Sequence, residues 1–421
     1  NKNGKWDDYR EPVELSTYIQ STFEVPWMVI NAGVRLDGVN YRTQVWADSL
    51  GELSPGKPWY YSDVNENGIW DDGEEVSEFA GLARQEVLFT DAQWFYKISP
   101  RIGISHIITD RSTFTFNYGI YYQTPVYMNV YLNTNRLEDP EELFQESGGT
   151  IGNATMGAQR TQSYALGYNA QVSRHWRYSL AAWVKDIDQW LTFKNSRSGV
   201  YEYQVFDNGD YGGAKGIDFT LERRGRGLSG MLQYTLSIAK ANKAHDWSAE
   251  GTVFVDAPSQ EFLMPYDRTH DLTLSLYTFL PFGVRAGLTG FYQSGYPYTP
   301  YIYKQGDRAP SLDIKNQYSK RSPDYLNFNL SFSKGVKYGR QNIMLGLNVF
   351  NLFDIRNSVD IWPLTGKPDD PGAFYTNFVG LPGTDPNGAG VKAYLSNSFF
   401  DQPWYFSSPR QINFFVRIVF E

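Results

Sequence analysis

The sequence predicts an all-β fold, a transmembrane antiparallel β-barrel with short periplasmic turns and long extracellular loops. Three observations predict it. Aromatic residues make up 17% of the chain, with 31 Tyr, 27 Phe and 12 Trp. No apolar run reaches the roughly 18 residues of a membrane-spanning helix, and total hydropathy is that of a water-soluble chain. The dominant pattern has period two, the spacing at which side chains of a strand point to opposite faces. A barrel reconciles these facts, because only alternate residues of each strand need to meet lipid.

The alternation recurs along the chain. Phe114, Phe116, Tyr118 and Ile120 alternate with Thr113, Thr115, Asn117 and Gly119. Ile217, Phe219 and Leu221 alternate with Asp218, Thr220 and Glu222. Leu272, Leu274 and Leu276 alternate with Thr273 and Ser275. Leu326, Phe328, Leu330 and Phe332 alternate with Asn327, Asn329, Ser331 and Ser333. About thirteen strands are expected, near 13–25, 28–37, 98–108, 112–122, 161–172, 176–187, 214–223, 229–240, 269–280, 283–293, 324–333, 342–353 and 410–420. A soluble β-sandwich would alternate in the same way, but the connections separate the two. Short ones at Pro26, Asp110–Arg111, Ser173–His175, Gly225–Gly227, Pro281–Phe282 and Gly335–Arg340 alternate with long ones at 38–97, 123–160, 188–213, 241–268, 294–323 and 354–409. Outer-membrane barrels follow that rule, and a Greek-key sandwich has no reason to.

Parity carries a second expectation. The last strand follows a long loop and the first precedes a short turn, so both run inward. That leaves Asn1 outside and Glu421 in the periplasm. Bacterial single-chain barrels have an even strand number and both termini inside, so an odd number of strands is expected before Asn1. No secretory signal is visible at Asn1, so either it has been removed or the chain starts far downstream of it, and the strand parity favours the second. Aromatics near strand ends, namely Tyr121, Tyr122, Trp183, Trp190, Tyr277, Phe279, Phe291, Tyr292, Phe350, Phe353 and Phe420, are expected in interfacial girdles.

Several stretches resemble one family, the TonB-dependent outer-membrane transporters. They are Ser99-Pro100-Arg101-Ile102-Gly103-Ile104-Ser105 with Ile108-Thr109-Asp110-Arg111 and Phe116-Asn117-Tyr118-Gly119; Tyr211-Gly212-Gly213-Ala214-Lys215-Gly216-Ile217-Asp218; Asn348-Val349-Phe350-Asn351-Leu352-Phe353-Asp354; and the ending from Pro409 to Phe420. The resemblance implies a 22-stranded barrel plugged by an N-terminal domain. It implies a place in the outer membrane of a Gram-negative bacterium, and active import of a siderophore, vitamin, glycan or peptide, powered through TonB. Residues 1–421 would then be the C-terminal portion of the barrel, with the plug and about nine strands outside this sequence. A surface lipoprotein partner fits the family but is unmarked here. In the closing strand, Ile412, Phe414, Val416, Ile418 and Phe420 share one face, which resembles the signal read by the barrel-assembly machinery. The family usually ends on the aromatic itself, and here Glu421 follows. A non-transporting scaffold barrel and a passive porin are the alternative functions.

The sharpest local motif is the calcium-type loop from Asp63 to Glu74. Asp63, Asn65, Asn67, Asp71 and Glu74 offer side-chain oxygens, Ile69 its carbonyl, and Gly68 the sharp turn that a six- to eight-oxygen site requires. The flanks do not read as helices, so the match is to the loop and not to an EF-hand domain. Its structural alternative is an acidic solvated loop. A partial copy, Asn1-Lys2-Asn3-Gly4-Lys5-Trp6-Asp7-Asp8, has Arg10 where the last carboxylate belongs, so a site there is damaged or uses Glu11. Tyr296, Tyr298, Tyr301 and Tyr303, interspersed with Pro297 and Pro300, form an outer aromatic loop that could stack on a ligand or simply pack.

Other classes are disfavoured. Net charge is −8, from 46 acidic and 38 basic residues, against the basic face that nucleic acid needs. There is no cysteine, hence no thiolate metal site. The histidines His106, His175, His245 and His270 show no ligand pairing. His270-Asp271 is the nearest approach to a catalytic pair, and no enzyme is expected.

Overall fold

The computed structural model describes residues 11–46, 89–132, 150–198, 201–225, 227–242, 261–304, 309–339, 341–372 and 402–420. The main sheet is an antiparallel meander in which each wall strand pairs with the next in the chain. Its strands are β1 (Val13–Val25), β2 (Met28–Asn40), β3 (Phe95–Thr109), β4 (Ser112–Gln123), β5 (Gln159–Gln171), β6 (Trp176–Ser198), β7 (Tyr201–Arg223), β8 (Ser229–Ala241), β9 (His270–Leu280), β10 (Val284–Gln293), β11 (Tyr325–Tyr338), β12 (Gln341–Phe350) and β13 (Gln411–Phe420). No described helix is long and apolar enough to cross a membrane, which says nothing about strands. The sheet is open among the described residues, with β1 and β13 as its edges.

Register turns the alternation of single strands into two continuous faces. Ile30 pairs with Ile104, Ile104 with Phe116, Phe116 with Leu166, and Leu166 with Ala182. The apolar row continues through Ile217 and Leu236. Further along, Leu276 pairs with Leu288, Leu288 with Leu330, Leu330 with Val349, and Val349 with Ile412. A slip of one residue at any ladder would put polar side chains into this face, so the pattern itself fixes the register.

The same parity corrects the girdle expectation. Trp183 stands opposite Gly216, Tyr277 opposite Gly287, Phe279 opposite Arg285 and Phe291 opposite Thr273. All four belong to the polar face. Proximity to a strand end does not decide a side, because each step along the strand reverses it.

A second correction concerns 188–213, expected as a long loop. β6 and β7 instead run on as one hairpin, 23 residues each, far more than the roughly 9–11 needed to cross a bilayer. Pairing shifts register between Asn208 and Gly212, where the hairpin enters the wall. Trp190 lies in this extension and not at a strand end. The loop expected at 38–97 is also shorter, since β2 reaches Asn40 and β3 starts at Phe95. Gln44–Trp46 pairs with Phe89–Asp91 at its base.

Candidate functional site

The polar face of the wall carries clusters of charged and hydrogen-bonding side chains. On β2, Arg35 Nε donates to Asp37 Oδ1 at 2.8 Å. Two recesses open on this face. One of about 390 Å³ is bordered by Glu14, Arg35, Asp37, Lys97, Arg101 and Tyr122. The other, about 470 Å³, reaches Asn31, Asn117 and Tyr121. Arg101 stacks over the Tyr121 ring at 4.5 Å and Lys97 over Tyr122 at 5.5 Å, so these cations are held by aromatic faces. Further along, the Trp183 indole N–H donates to Asp218 Oδ2 at 2.9 Å, and the Thr235 hydroxyl donates to Asp218 Oδ1 at 2.7 Å. Trp183 lies over Gly216, where a Cβ would come within 2.7 Å of the ring. Gly216 and Asp218 therefore form one unit with the tryptophan. The arrangement can hold a polar ligand through mixed charge and hydrogen-bonding groups.

Above the outer ends of β2 to β7, loops fold into a small apolar core. Tyr41, Ala92, Val130, Ala154, Met156 and Phe206 are buried together, and Phe95 and Leu191 pack against them. Hydrogen bonds tie the segments: the Tyr131 hydroxyl to the Tyr41 carbonyl at 2.6 Å, Asn40 Nδ2 to the Ala92 carbonyl at 3.0 Å, and Asn153 Nδ2 to the Phe206 carbonyl at 2.9 Å. Thr150–Ile151 pairs in parallel with Gln204–Val205 of β7. Burial pushes the Tyr41 hydroxyl up to about 12, helped by Tyr127, Tyr131 and Glu14 nearby. Tyr127 also rises to about 12, chiefly because its hydroxyl donates to Glu14 at 2.5 Å.

Above β8 to β13 the rim is held differently. Asp267 is 3% exposed. It accepts from the Ala239 N–H at 2.7 Å and from Arg321 Nη2 at 2.5 Å. Arg321 also donates to the Gly295 carbonyl at 2.9 Å and the Thr269 hydroxyl at 2.6 Å. Arg268 stacks over the Tyr296 ring at 3.8 Å. Asn351, at φ 52°, donates from Nδ2 to the Ile355 and Ser408 carbonyls at 3.0 and 3.1 Å. Asn357 accepts from the Leu326 N–H and donates to its carbonyl, both at 2.8 Å. The side-chain amide thus replaces the strand partner that β11 lacks there.

A family model described as TonB dependent receptor-like, beta-barrel, matches residues 4–352. The chain belongs to the TonB-dependent receptor family. A search of curated proteins by sequence finds no match. Among solved structures, the siderophore receptor PiuA from Acinetobacter baumannii is 14% identical with a TM-score of 0.53, covering 82% of this chain and 40% of that one. P. aeruginosa FpvA bound to a heterologous pyoverdine is 10% identical with a TM-score of 0.53, covering 99% and 39%. The FrpB iron transporter from Neisseria meningitidis is 13% identical with a TM-score of 0.50, covering 83% and 43%. These likenesses show the fold. The chain spans about two fifths of the length of these structures.

TonB-dependent receptor barrels are Gram-negative outer-membrane proteins, so the apolar face of the receptor's wall meets lipid and the polar face its interior. The calcium-type loop and its partial copy lie outside the described residues, and among the described residues no group of acids or histidines could hold a metal ion. Of the loop tyrosines, Tyr296 carries the Arg268 stack. Tyr298 turns to the following loop, its hydroxyl filling the space a Cβ would take at Gly366, and burial raises it. Tyr301 is half-buried and Tyr303 exposed. Ile412, Phe414, Val416 and Ile418 do share a face, as their pairing with Val349, Leu347, Leu345 and Ile343 shows, and Phe414 is 80% exposed on the edge strand. His270 and Asp271 point to opposite faces: His270 Nδ1 meets the Tyr234 hydroxyl at 2.9 Å, while Asp271 accepts from Gln293 at 2.7 Å. They make no catalytic pair. Sequence reasoning missed Asp267 with Arg321, because 54 residues separate them and neither sits in a motif.

Proposed function

We propose that the chain is the C-terminal part of the wall of a TonB-powered importer that admits a scarce nutrient. The observation that carries this reading is the continuous polar face with its two recesses, backed by a lipid-facing apolar face and roofed by packed loops. A polar lumen wall of this kind is what the passage of a polar nutrient requires. The barrel is completed by strands joining β1 and β13, on the pattern of about 22, with a plug inside. Ferric siderophores are the first substrate class to test, since PiuA is a siderophore receptor, FpvA is bound to a pyoverdine and FrpB is an iron transporter. Vitamins, glycans and peptides follow.

The test uses the full-length gene in its own cell. Uptake of labelled ferric siderophores should fall when the gene is deleted and fall equally when TonB is removed. Uptake that survives loss of TonB would make the protein a porin. No uptake of any nutrient class would make it a scaffold. The reading also places calcium, as a structural ion, at Asp63, Asn65, Asn67, Ile69, Asp71 and Glu74 of an outer loop. Calcium titration of the full-length protein should then lose a site in Glu74→Ala. The apolar face of β13 serves as the assembly signal, and Phe414→Ser should slow insertion of newly made protein.

A further inference from the structure

The lipid-facing side of the wall changes character at one level in its outer half. Across β5 to β8, Tyr164 pairs with Val184, Val184 with Lys215, and Lys215 with Ile238. One step outward the row is Gln162, Asp186, Gly213 and Lys240. One step inward it is Leu166, Ala182, Ile217 and Leu236. Parity thus sets Lys215 on the same face as Ile217 and Leu236, beside acyl chains.

Two features make this place unlike the rest of the apolar face. First, a groove of about 460 Å³ lies here, with an almost wholly apolar lining that includes Leu166, Ala182, Val184, Ile217 and Leu236. Ala182 is its low point, because its methyl stands between the longer Leu166 and Ile217. Second, Lys215 borders the groove and has no ion-pair partner among the described residues, and neither has Lys240. Asp186 shares the face and bonds to neither. By contrast Arg160, farther out, is paired with Asp188. Neutral donors gather at the same level: Gln162 Nε2 donates to the Tyr164 hydroxyl at 2.6 Å and the Tyr118 hydroxyl at 3.0 Å.

A lysine on a hydrocarbon face lifts its ammonium to the headgroup layer while its stem stays among the chains. Where no acid of the protein is engaged with them, the counter-charge comes from the lipid, and an anionic headgroup is drawn to such cations. The acyl chain below that headgroup then meets a groove of matching character.

We propose that Lys215, Lys240 and the groove over Ala182 form a binding site for a phosphorylated lipid of the outer leaflet. The phosphate lies against the two ammonium groups and an acyl chain lies in the groove. The site does not depend on what the protein transports.

The test uses the full-length receptor in detergent, with lipid A as the probe, either bearing its phosphates or stripped of them. Retention is read by native mass spectrometry. Wild type should hold the phosphorylated form about tenfold more tightly than the stripped form. The Lys215→Gln, Lys240→Gln double variant should lose that difference, and the Arg double variant should keep it. Ala182→Leu, which fills the groove, should weaken both forms. Heat-modified gel mobility checks that each variant is folded. Equal retention by wild type and the Gln variant would overturn the site, as would equal retention of phosphorylated and stripped lipid by wild type.

Discussion

The two halves of the outer rim stand on the same wall and are held by opposite means. Over β2 to β7, side chains from distant segments bury carbon against carbon: Tyr41, Val130, Met156 and Phe206 are essentially inaccessible. Over β8 to β13, the ties between segments are mainly polar side chains with defined partners. Asp267 meets Arg321, Asn351 holds Ile355 and Ser408, and Asn357 completes the ladder at Leu326. An apolar cluster is non-directional and tolerates shifts that leave area buried. A hydrogen-bonded knot fixes positions but fails sharply when one partner goes. The first half is therefore the part that can adjust to what lies beneath it, and the second is a frame.

The sharpest break should come from the frame. Asp267→Ala leaves the Arg321 guanidinium facing Thr269 and carbonyls without its carboxylate, and orphans the Ala239 N–H. Losing one partner of a buried pair costs about 3–5 kcal/mol. Arg321 is only partly exposed, its side chain at 27%, so solvent can relieve part of that. The loss should appear as faster hydrogen exchange at 294–298 and 320–322 in the full-length protein, with β1 to β4 unchanged. Next, Phe206→Ala removes the largest apolar contact of the other half, at about 3 kcal/mol for a buried Phe. Here exchange should rise together across 41–46, 127–132 and 150–156, because these segments share one core. If only the segment carrying residue 206 loosens, the cluster is not cooperative and the contrast with the frame fails.

What could be read from the sequence follows from the same physics. Alternation was legible because a lipid-facing strand must put carbon on one side at every second residue. The frame was legible in part, since Asn351 and Asp354 belong to a motif whose spacing is local. Beyond the bilayer the demand for alternation lapses, which is why the extension of β6 and β7 past Asp186 looked like a loop. The apolar half of the rim left no trace, because Tyr41, Val130, Met156 and Phe206 come from segments with no period. The girdle assignment failed for Trp183 and Phe291 because nearness to a strand end carries no side, which only their counted parity supplies.

The smallest effect sharpens the comparison most. The frame satisfies its buried Asp267 and Asn351, whereas the apolar half hides the Tyr41 hydroxyl, which has no hydrogen-bond partner among the described residues. An unpaired buried hydroxyl costs about 1 kcal/mol or more, so Tyr41→Phe should stabilise this half by about that amount. The sign with pH is also fixed. The folded Tyr41 titrates at about 12 against an ordinary 10.0, so the folded state holds its proton longer. Its contribution is intact below pH 10 and is lost as the pH rises towards 12. Hydrogen exchange at 127–132, corrected for the intrinsic rate, should therefore rise above pH 10 in wild type and rise less in Tyr41→Phe. A residual rise should remain from Tyr127, whose bond to Glu14 delays its own ionisation. An unchanged profile in Tyr41→Phe would mean that the hydroxyl finds a partner in solution, and the two halves of the rim would differ less than their contacts indicate.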